Sequence, residues 1–121
     1  MLRDSNQNTS INNIYRNTTS TVSAAGTTVL TVASSYTQVL TGTTTQTYQL
    51  PNATTLANGA SFQFNNNSTG NLFVVNNGSG AVATVAAGGA TQLFLTSTST
   101  ANGTWDVHGF IPENILLTLV F

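Results

Sequence analysis

Short runs in which apolar and polar residues alternate dominate the chain between Gln46 and Gly109, and each run ends at Asn, Gly, Ser or Pro. This pattern is typical of strands joined by tight turns. The clearest alternation lies in Ser61–Asn65, where Phe62 and Phe64 share one face and the polar residues share the other. We therefore predict that the two phenylalanines point into the core and that the opposite face of this strand meets solvent.

Eight or nine such runs predict strands, and no segment with a period of 3.6 residues is long enough for a substantial helix. We expect the first two strands to pair with each other. The spacing of about ten residues favours an all-β domain, either an antiparallel β-sandwich, a jelly-roll-like fold or a small barrel. The predicted strands are Thr27–Val32, Tyr36–Leu40, Gln46–Leu50, Ser61–Asn65, Asn71–Asn76, Ala81–Val85, Thr91–Leu95, Thr104–His108 and Ile115–Phe121.

Turn chemistry and alternation also predict the hairpins and the core. Residues 76–80, with the sequence NNGSG, supply the positive-φ positions that a hairpin turn requires. Alternation within the predicted strands selects one set of inward apolar side chains. The residues that we expect to be mainly buried are Phe62, Phe64, Leu72, Val74, Leu93, Leu95, Trp105 and Val107.

The first twenty residues differ from the rest, because they are polar and show no sustained period. We predict an extended N-terminal arm over residues 1–20 and a single β domain over residues 21–121. Ile11, Ile14 and Tyr15 are the expected anchors of this arm on a neighbour. Arg3 and Arg16 are expected to add charge-assisted bonds to acidic groups of that partner. The alternative is a flexible leader that packing alone holds in place.

The last predicted strand, Ile115–Phe121, is apolar almost throughout. An exposed strand of this composition would be an aggregation hazard, so we expect a neighbouring sheet or subunit to cover it. Leu117, Leu119 and Phe121 are therefore candidate partner-binding residues. A carboxy-terminal Phe also ends outer-membrane barrels, but the signal peptide and the aromatic girdles of such barrels are missing from the sequence.

Composition narrows the classes of partner. Thr, Asn, Ser and Gly form about half of the chain, which suits strands and turns. Two Arg, no Lys and a net charge of −1 leave little to neutralise phosphates, so we expect neither nucleic acid nor an anionic membrane as a partner. A surface this poor in charge lacks the repulsion that keeps small domains monomeric, which favours a subunit of an assembly over a Thr-rich monomer.

No set of residues in the sequence indicates chemistry. Asp106 and His108 are close in sequence and share a strand face, but no nucleophile elbow accompanies them, and a pair that hydrogen-bonds a nearby turn is the simpler interpretation. One His and no Cys cannot supply a zinc site, and the acidic residues are dispersed, without a calcium-binding loop. We expect a protein that is not an enzyme and has no metal and no cofactor.

The segment TYQLPNATTLANGASFQFNNNSTGNLFVVNNGSG is followed by a Gly-Gly turn, the strand TQLFL and the sequence ANGTWDVHG. This pattern resembles a small β module of tailed-bacteriophage virion proteins, found in tail fibres and in capsid decoration (cement) proteins, notably those of cyanophages. The similarity covers about Gln46 to Gly109. Its most specific elements are Leu50-Pro51, Asn66–Gly70 and Ala101–His108.

The resemblance implies a homotrimer on the capsid surface of a virion, assembled in the host cytoplasm. A single module without a fibrous shaft favours a decoration protein that bridges major capsid subunits and stabilises the shell. The alternative is a short tail-fibre or adhesin module that binds host-surface glycan, with Trp105, Tyr36 and Tyr48 as stacking residues.

Overall fold

The computed structural model describes residues 2–3 and 5–111 of the chain, and strands form nearly all of its regular structure. The predicted all-β class is confirmed. One turn of 3₁₀ helix at Ala53–Thr55 is capped by Asn52, and no helix in the described part is long and apolar enough to span a membrane. The strands are β1 (Leu2–Arg3), β2 (Thr9–Ser10), β3 (Thr18–Val22), β4 (Thr27–Val29), β5 (Thr37–Thr41), β6 (Gln46–Gln49), β7 (Ser61–Asn66), β8 (Leu72–Val75), β9 (Ala81–Val85), β10 (Ala90–Ser97) and β11 (Thr104–Phe110).

Two sheets enclose the core. The five-stranded sheet has the order β11-β10-β7-β5-β3, and the four-stranded sheet has the order β4-β6-β8-β9. Outside this pair, β1 and β2 form a small two-stranded sheet. The chain therefore folds as a sandwich of two layers, preceded by a short ribbon.

From β3 to β8 the chain passes from one sheet to the other after every strand. The ladders β3-β5, β5-β7, β4-β6 and β6-β8 are all parallel. Parallel neighbours need a crossover connection, and here the crossover is a strand in the opposite sheet. The result is three stacked coils, namely β3-β4, β5-β6 and β7-β8. The antiparallel pairing that we expected is wrong for these four ladders, because both sheets are mixed, and the jelly-roll-like topology is not confirmed.

Antiparallel strands complete the sandwich after the third coil. β9 pairs with β8, β10 pairs with β7, and β11 pairs with β10. The β8–β9 hairpin turns through Ser79, whose φ is 68°, and the Asn76 amide donates to the Gly80 carbonyl over 2.8 Å. The positive-φ turn predicted for residues 76–80 is therefore confirmed, with Ser at the left-handed position.

Two local expectations need correction. The first two predicted strands do not pair, because β4 lies in the four-stranded sheet and β5 lies in the five-stranded sheet. The structure also shows a strand at Thr18–Val22 that the sequence pattern did not reveal. This edge strand has mainly exposed Thr and Ser side chains, so it lacks the apolar alternation by which a half-buried strand is recognised.

The core lies between the sheets and is centred on aromatic rings. The Tyr48 and Phe64 ring centroids are 5.2 Å apart, and those of Phe62 and Trp105 are 6.2 Å apart. The predicted burial is confirmed for six of the eight expected residues. Trp105 is half-buried, and Val107 remains 37% exposed although it points inward. The buried apolar cluster consists of Leu30, Leu40, Tyr48, Leu50, Phe62, Phe64, Leu72, Val74, Val85 and Leu93.

Buried amides join one coil to the next. The Gln46 side chain accepts hydrogen bonds from the amides of Ala24 (2.9 Å) and Gly26 (3.4 Å) and donates to the Thr28 hydroxyl over 3.0 Å. Gln46 thus connects the second coil to the turn and strand of the first. Buried polar groups are stable only when they are paired, so these bonds fix the register of the coils.

Asn66 has the same role at the third coil. Its amide nitrogen donates to the Gly70 and Val85 carbonyls, both over 2.8 Å, and its oxygen accepts from the Ser68 amide and hydroxyl. The side chain is fully buried. It therefore holds the turn between β7 and β8 against the strand β9.

The turn between β5 and β6 requires glycine. Gly42 has a φ of 101°, and a Cβ added to it would lie 2.6 Å from the Ser23 hydroxyl oxygen of the preceding coil. Both the backbone conformation and the close approach of the two coils exclude a side chain at this position.

We expect Phe64→Ala to destabilise the protein by about 3–5 kcal/mol, because a fully buried ring is lost and a cavity remains. The control is Phe94→Ala in β10, which removes a ring that points away from the core and is 36% exposed. Urea unfolding of both variants measures the difference. Equal losses for the two variants would contradict the inward register of β7.

We expect the stability of the protein to fall as the pH rises above about 10, the ordinary pKa of a Tyr. Burial raises the pKa of Tyr48, while the neighbouring Thr21 hydroxyl offsets part of that rise. Between the ordinary and the raised pKa, the unfolded chain ionises Tyr48 and the folded chain does not, so unfolding is favoured there.

Tyr48→Phe isolates this effect. The Tyr48 hydroxyl is buried without a hydrogen-bond partner of good geometry in the described part of the chain, so its removal is expected to cost no stability at pH 7. Above pH 10 the variant is expected to lose less stability than the parent protein. Unfolding curves of both proteins between pH 7 and 11 test this, and parallel declines would contradict it.

Candidate functional site

The arm that precedes β3 lies outside the sandwich. β1 and β2 pair antiparallel, with Leu2 beside Ser10 and Arg3 beside Thr9, and Gln7 between them adopts a φ of 67°. Every side chain from residue 5 to residue 17 is exposed. The arm therefore folds back on itself instead of lying in the core of the body.

The three expected anchors of the arm all present apolar surface to solvent. Ile11 is 45% exposed, Ile14 is 57% exposed and Tyr15 is 91% exposed. The Asn13 side chain accepts a hydrogen bond from the backbone amide of Ile14 over 2.8 Å. The body therefore leaves three large apolar side chains of the arm uncovered.

Arg16 fixes the end of the arm to the body. Its guanidinium carbon lies 4.2 Å from the centroid of the Tyr36 ring, a cation–π contact. One residue later, the Asn17 carbonyl accepts a hydrogen bond from the Thr37 amide over 3.1 Å and begins the β3–β5 ladder. The arm therefore leaves the body at a defined point beside Tyr36.

Among the described strands, both sheets have an open edge at the end where the arm leaves. β3 is the last strand of one sheet and β4 is the last strand of the other, and both belong to the first coil. Val22 on β3 is 72% exposed and Val29 on β4 is 60% exposed. Edge strands offer backbone donors and acceptors to a further strand, so this end of the molecule is suited to strand addition.

A polar cluster lies on the outer face of the five-stranded sheet. Gln63 and Gln92 are direct neighbours across the β7–β10 ladder. The Gln63 amide donates to the Asn65 side chain over 3.1 Å, and the Gln92 amide donates to the Tyr36 hydroxyl. We call Tyr36, Gln63, Asn65 and Gln92 the outer amide cluster. Its donors and acceptors are suited to polar ligands, although several of them already bond to each other.

Asp106 and His108 extend this face across β11. The His108 Nε2 and Asp106 Oδ2 atoms are 3.0 Å apart, and both side chains are more than half exposed. The predicted shared face is confirmed, and the two side chains bond to each other. Among residues 2–3 and 5–111, no three His, Cys, Asp or Glu side chains are grouped so that they could hold a metal ion.

The three aromatic residues expected to stack on glycan are not free platforms. Tyr48 is fully buried, so its assignment is wrong. Trp105 packs against Phe62, and its indole donates to the Asn102 carbonyl over 3.1 Å. The Tyr36 ring lies under the Arg16 guanidinium.

The structure brings some predicted site residues together and leaves others apart. Ile11, Ile14, Tyr15 and Arg16 share the arm, and the backbone of Arg3 lies in β1. Leu117, Leu119 and Phe121 lie outside the described residues. The contact of Gln92 with Tyr36 joins residues 56 positions apart, so the sequence contains no signal for the cluster beyond the outward polar positions of each strand.

We expect Arg16→Ala to loosen the junction between the arm and the body. An exposed cation–π contact is worth about 0.5–1 kcal/mol, so exchange of the Thr37 amide proton should accelerate about two- to fivefold. Hydrogen exchange followed by NMR measures this, with Arg3→Ala as the control. Unchanged exchange at Thr37 would contradict a stabilising role for the Arg16 contact.

No family model matches the chain, and comparisons with curated proteins and with solved structures also give no match.

Proposed function

We propose that this chain is a non-enzymatic structural protein of a bacteriophage virion, a capsid decoration protein whose arm attaches the β body to major capsid subunits. The observation that carries the proposal is the exposure of Ile11, Ile14 and Tyr15 on an arm that the body does not bury. The resemblance of residues 46–109 to virion β modules is the reason for proposing a bacteriophage capsid as the partner.

The energetics of the arm support an attachment role. Fixing the backbone of one residue costs about 1–2 kcal/mol, and an arm whose apolar side chains are exposed gains little burial in return. Binding to a partner would bury those side chains and offset the cost. The backbone of the arm would pair with the edge of a sheet in a capsid subunit, as in other cases of strand addition.

Charge contributes little to this attachment. The chain has two Arg residues and a net charge of −1, so apolar contacts and backbone hydrogen bonds must supply most of the affinity. Arg3 and Arg16 add bonds to acidic groups on the capsid. Neither nucleic acid nor a membrane is part of the proposal.

The assembled form in this proposal is a homotrimer on the capsid surface, formed in the host cytoplasm. Low surface charge and the exposed Val22 and Val29 at the open end of the sheets favour association of copies. Native mass spectrometry of the purified protein measures the oligomer, and a monomer at micromolar concentration would contradict the trimer.

We expect a protein that lacks residues 1–15 to keep its body and lose its place on the particle. The deletion spares Arg16 and the ladder that begins at Asn17, so the sandwich should remain folded. Occupancy on purified virions should fall at least about tenfold, which corresponds to about 1.4 kcal/mol of lost attachment free energy. Circular dichroism checks the fold, and quantitative mass spectrometry of particles measures occupancy.

A matched pair of triple variants separates the arm from general surface effects. Ile11→Ser, Ile14→Ser and Tyr15→Ser together should reduce occupancy as the deletion does. Val32→Ser, Phe94→Ser and Phe110→Ser remove three other exposed apolar side chains from the body, away from the edges of β3 and β4, and should reduce it less. Wild-type occupancy of the arm variant would show that the attachment surface lies on the body.

The second candidate function is a short tail-fibre or adhesin module that binds host-surface glycan. The outer amide cluster favours it, because Gln and Asn side chains provide both donors and acceptors for sugar hydroxyls. Copy number in purified particles distinguishes the two functions. A decoration protein should approach the stoichiometry of the major capsid subunit, whereas a fibre module should be present in few copies.

A further inference from the structure

The first coil places two strand edges at the same end of the sandwich. Among the described strands, β3 is the last strand of the five-stranded sheet and β4 is the last strand of the four-stranded sheet. The two strands belong to one coil and lie in sheets that pack about 10 Å apart. A partner that approaches this end therefore meets two edges at once.

The backbone of β3 presents a regular row of groups on the side away from β5. The Thr37 amide donates to the Asn17 carbonyl over 3.1 Å. The Ser23 amide donates to the Thr41 carbonyl over 2.8 Å. Odd-numbered residues of this segment thus bond to β5, and the residues between them point the other way. The residues that direct their backbone amides and carbonyls to the free side are Thr18, Ser20 and Val22.

The backbone of β4 is arranged in the same way. The Thr47 amide donates to the Gly26 carbonyl over 2.9 Å. The Leu30 amide donates to the Gln49 carbonyl, also over 2.9 Å. Even-numbered residues thus bond to β6, and the residues between them point away from it. The residues that direct their backbone groups to the free side of β4 are Thr27 and Val29.

Neither edge carries a feature that blocks pairing. Proteins protect edge strands with charged side chains, Pro or bulges. β3 and β4 have the sequences TTSTV and TTV, and both ladders keep a constant register. At the opposite end of the stack, β11 carries Asp106 and His108, and β9 has an extra residue, Val82, opposite β8. The edges of the first coil are therefore the ones suited to pairing.

A second copy of this chain fits both edges. A single extended peptide would cover one edge and leave the other exposed. The first coil of another copy instead offers two edges at the spacing of a two-layer sandwich. Charge does not oppose the contact, because no residue from 17 to 105 is charged.

We propose that copies of this chain associate through their first coils, with β3 of one copy paired antiparallel to β4 of the next. Within a coil, β4 runs back against β3, because the chain must return to the start of β5, which lies beside the start of β3. Copies related by an axis along the strands therefore bring β3 and β4 together antiparallel. Each copy contributes one strand of each kind, so a closed ring of copies pairs every such edge.

The side chains of the two strands suit this pairing. Val22 on β3 is 72% exposed, and Val29 on β4 is 60% exposed. In an antiparallel pair they would lie opposite small polar residues of the neighbouring copy, which would cover part of their surface. Cross-strand pairs between Thr and Ser side chains add hydrogen bonds.

The number of copies in this inference rests on the proposed function, because a ring of three copies is the homotrimer proposed above. The pairing of β3 with β4 does not depend on attachment to a capsid. Occupancy on particles tests the attachment, so the two proposals can fail separately.

Disulfide trapping tests the pairing, and the chain suits it because it contains no Cys. Ser20→Cys is combined with Thr27→Cys in one variant and with Val29→Cys in another. These variants cover the two registers that pair two residues of each strand. Residues that face each other in such a pair have Cα atoms about 5.5 Å apart, within the range of a disulfide.

The geometry of one chain excludes a disulfide within it. Ser20 lies beside Val39, and Val29 lies beside Gln49, on the outer faces of different sheets. The side chains of the two Cys would therefore point away from each other. The controls are the single variants Ser20→Cys and Val29→Cys, and a matched pair at the opposite end of the stack, Thr84→Cys with His108→Cys.

After oxidation, we expect at least one Ser20 double variant to form disulfides between chains, with linked trimers as the largest product on a non-reducing gel. The controls should form few. Linked dimers as the largest product would support the pairing of β3 with β4 and contradict the homotrimer. Equal yields in the single variants or in the matched pair would overturn the proposal, as would the absence of disulfides in both double variants.

Ser20→Pro provides a second measurement. The Pro removes a backbone donor from the free edge of β3 without removing a bond of the β3–β5 ladder, whereas Ser20→Ala keeps the donor. The concentration at which half of the copies associate should rise at least about tenfold for Ser20→Pro and change little for Ser20→Ala. Analytical ultracentrifugation measures this, and circular dichroism checks the fold. A folded Ser20→Pro protein that associates as strongly as Ser20→Ala would overturn the proposal. If Ser20→Pro does not fold, the disulfide experiment decides.

Discussion

The stacking of successive coils through parallel backbone ladders is the constraint on which the rest of the structure depends. Each coil contributes one strand to each sheet, so a single change of register would displace side chains in both layers. The buried amides of Gln46 and Asn66 prevent such slippage because each bonds to backbone groups outside its own strand. Leaving these amides unpaired in the core would cost more than the bonds themselves contribute, which makes the register specific.

The apolar content of the core falls from the third coil to the first. The third coil supplies Phe64, Leu72 and Val74, whereas the inward residues of the first coil are mainly Thr and are only partly buried. Terminal repeats of stacked architectures need a polar end for solubility, and this gradient provides one. The open edges of β3 and β4 therefore remain available for hydrogen bonding without exposing a large apolar core.

The two ends of the stack differ in chemistry, and this difference links the fold to the proposed function. The first coil ends in an exposed backbone edge and an arm with exposed apolar side chains, which is suited to an extended partner. The opposite end has an apolar cavity beside the point where the described chain ends. The end that carries the arm is thus the one suited to attachment.

The sequence by itself determined the all-β class, the inward face of the strand that contains Phe62 and Phe64, the hairpin turn at residues 76–80 and the polar character of the segment that precedes the body. These features follow from local alternation, turn residues and polarity, which act over a few positions. Only the tertiary structure decided which strands are neighbours. For example, Thr37 pairs with Thr18 on one side and with Gln63 on the other, and both ladders are parallel. The sequence could not predict this, because apolar alternation along a strand is the same whether its neighbours are parallel or antiparallel. The sequence pattern did not predict the strand β3, because this strand has no apolar alternation. It did not predict the outer amide cluster either, because the cluster joins residues that are distant in sequence and meet only when the sheet assembles.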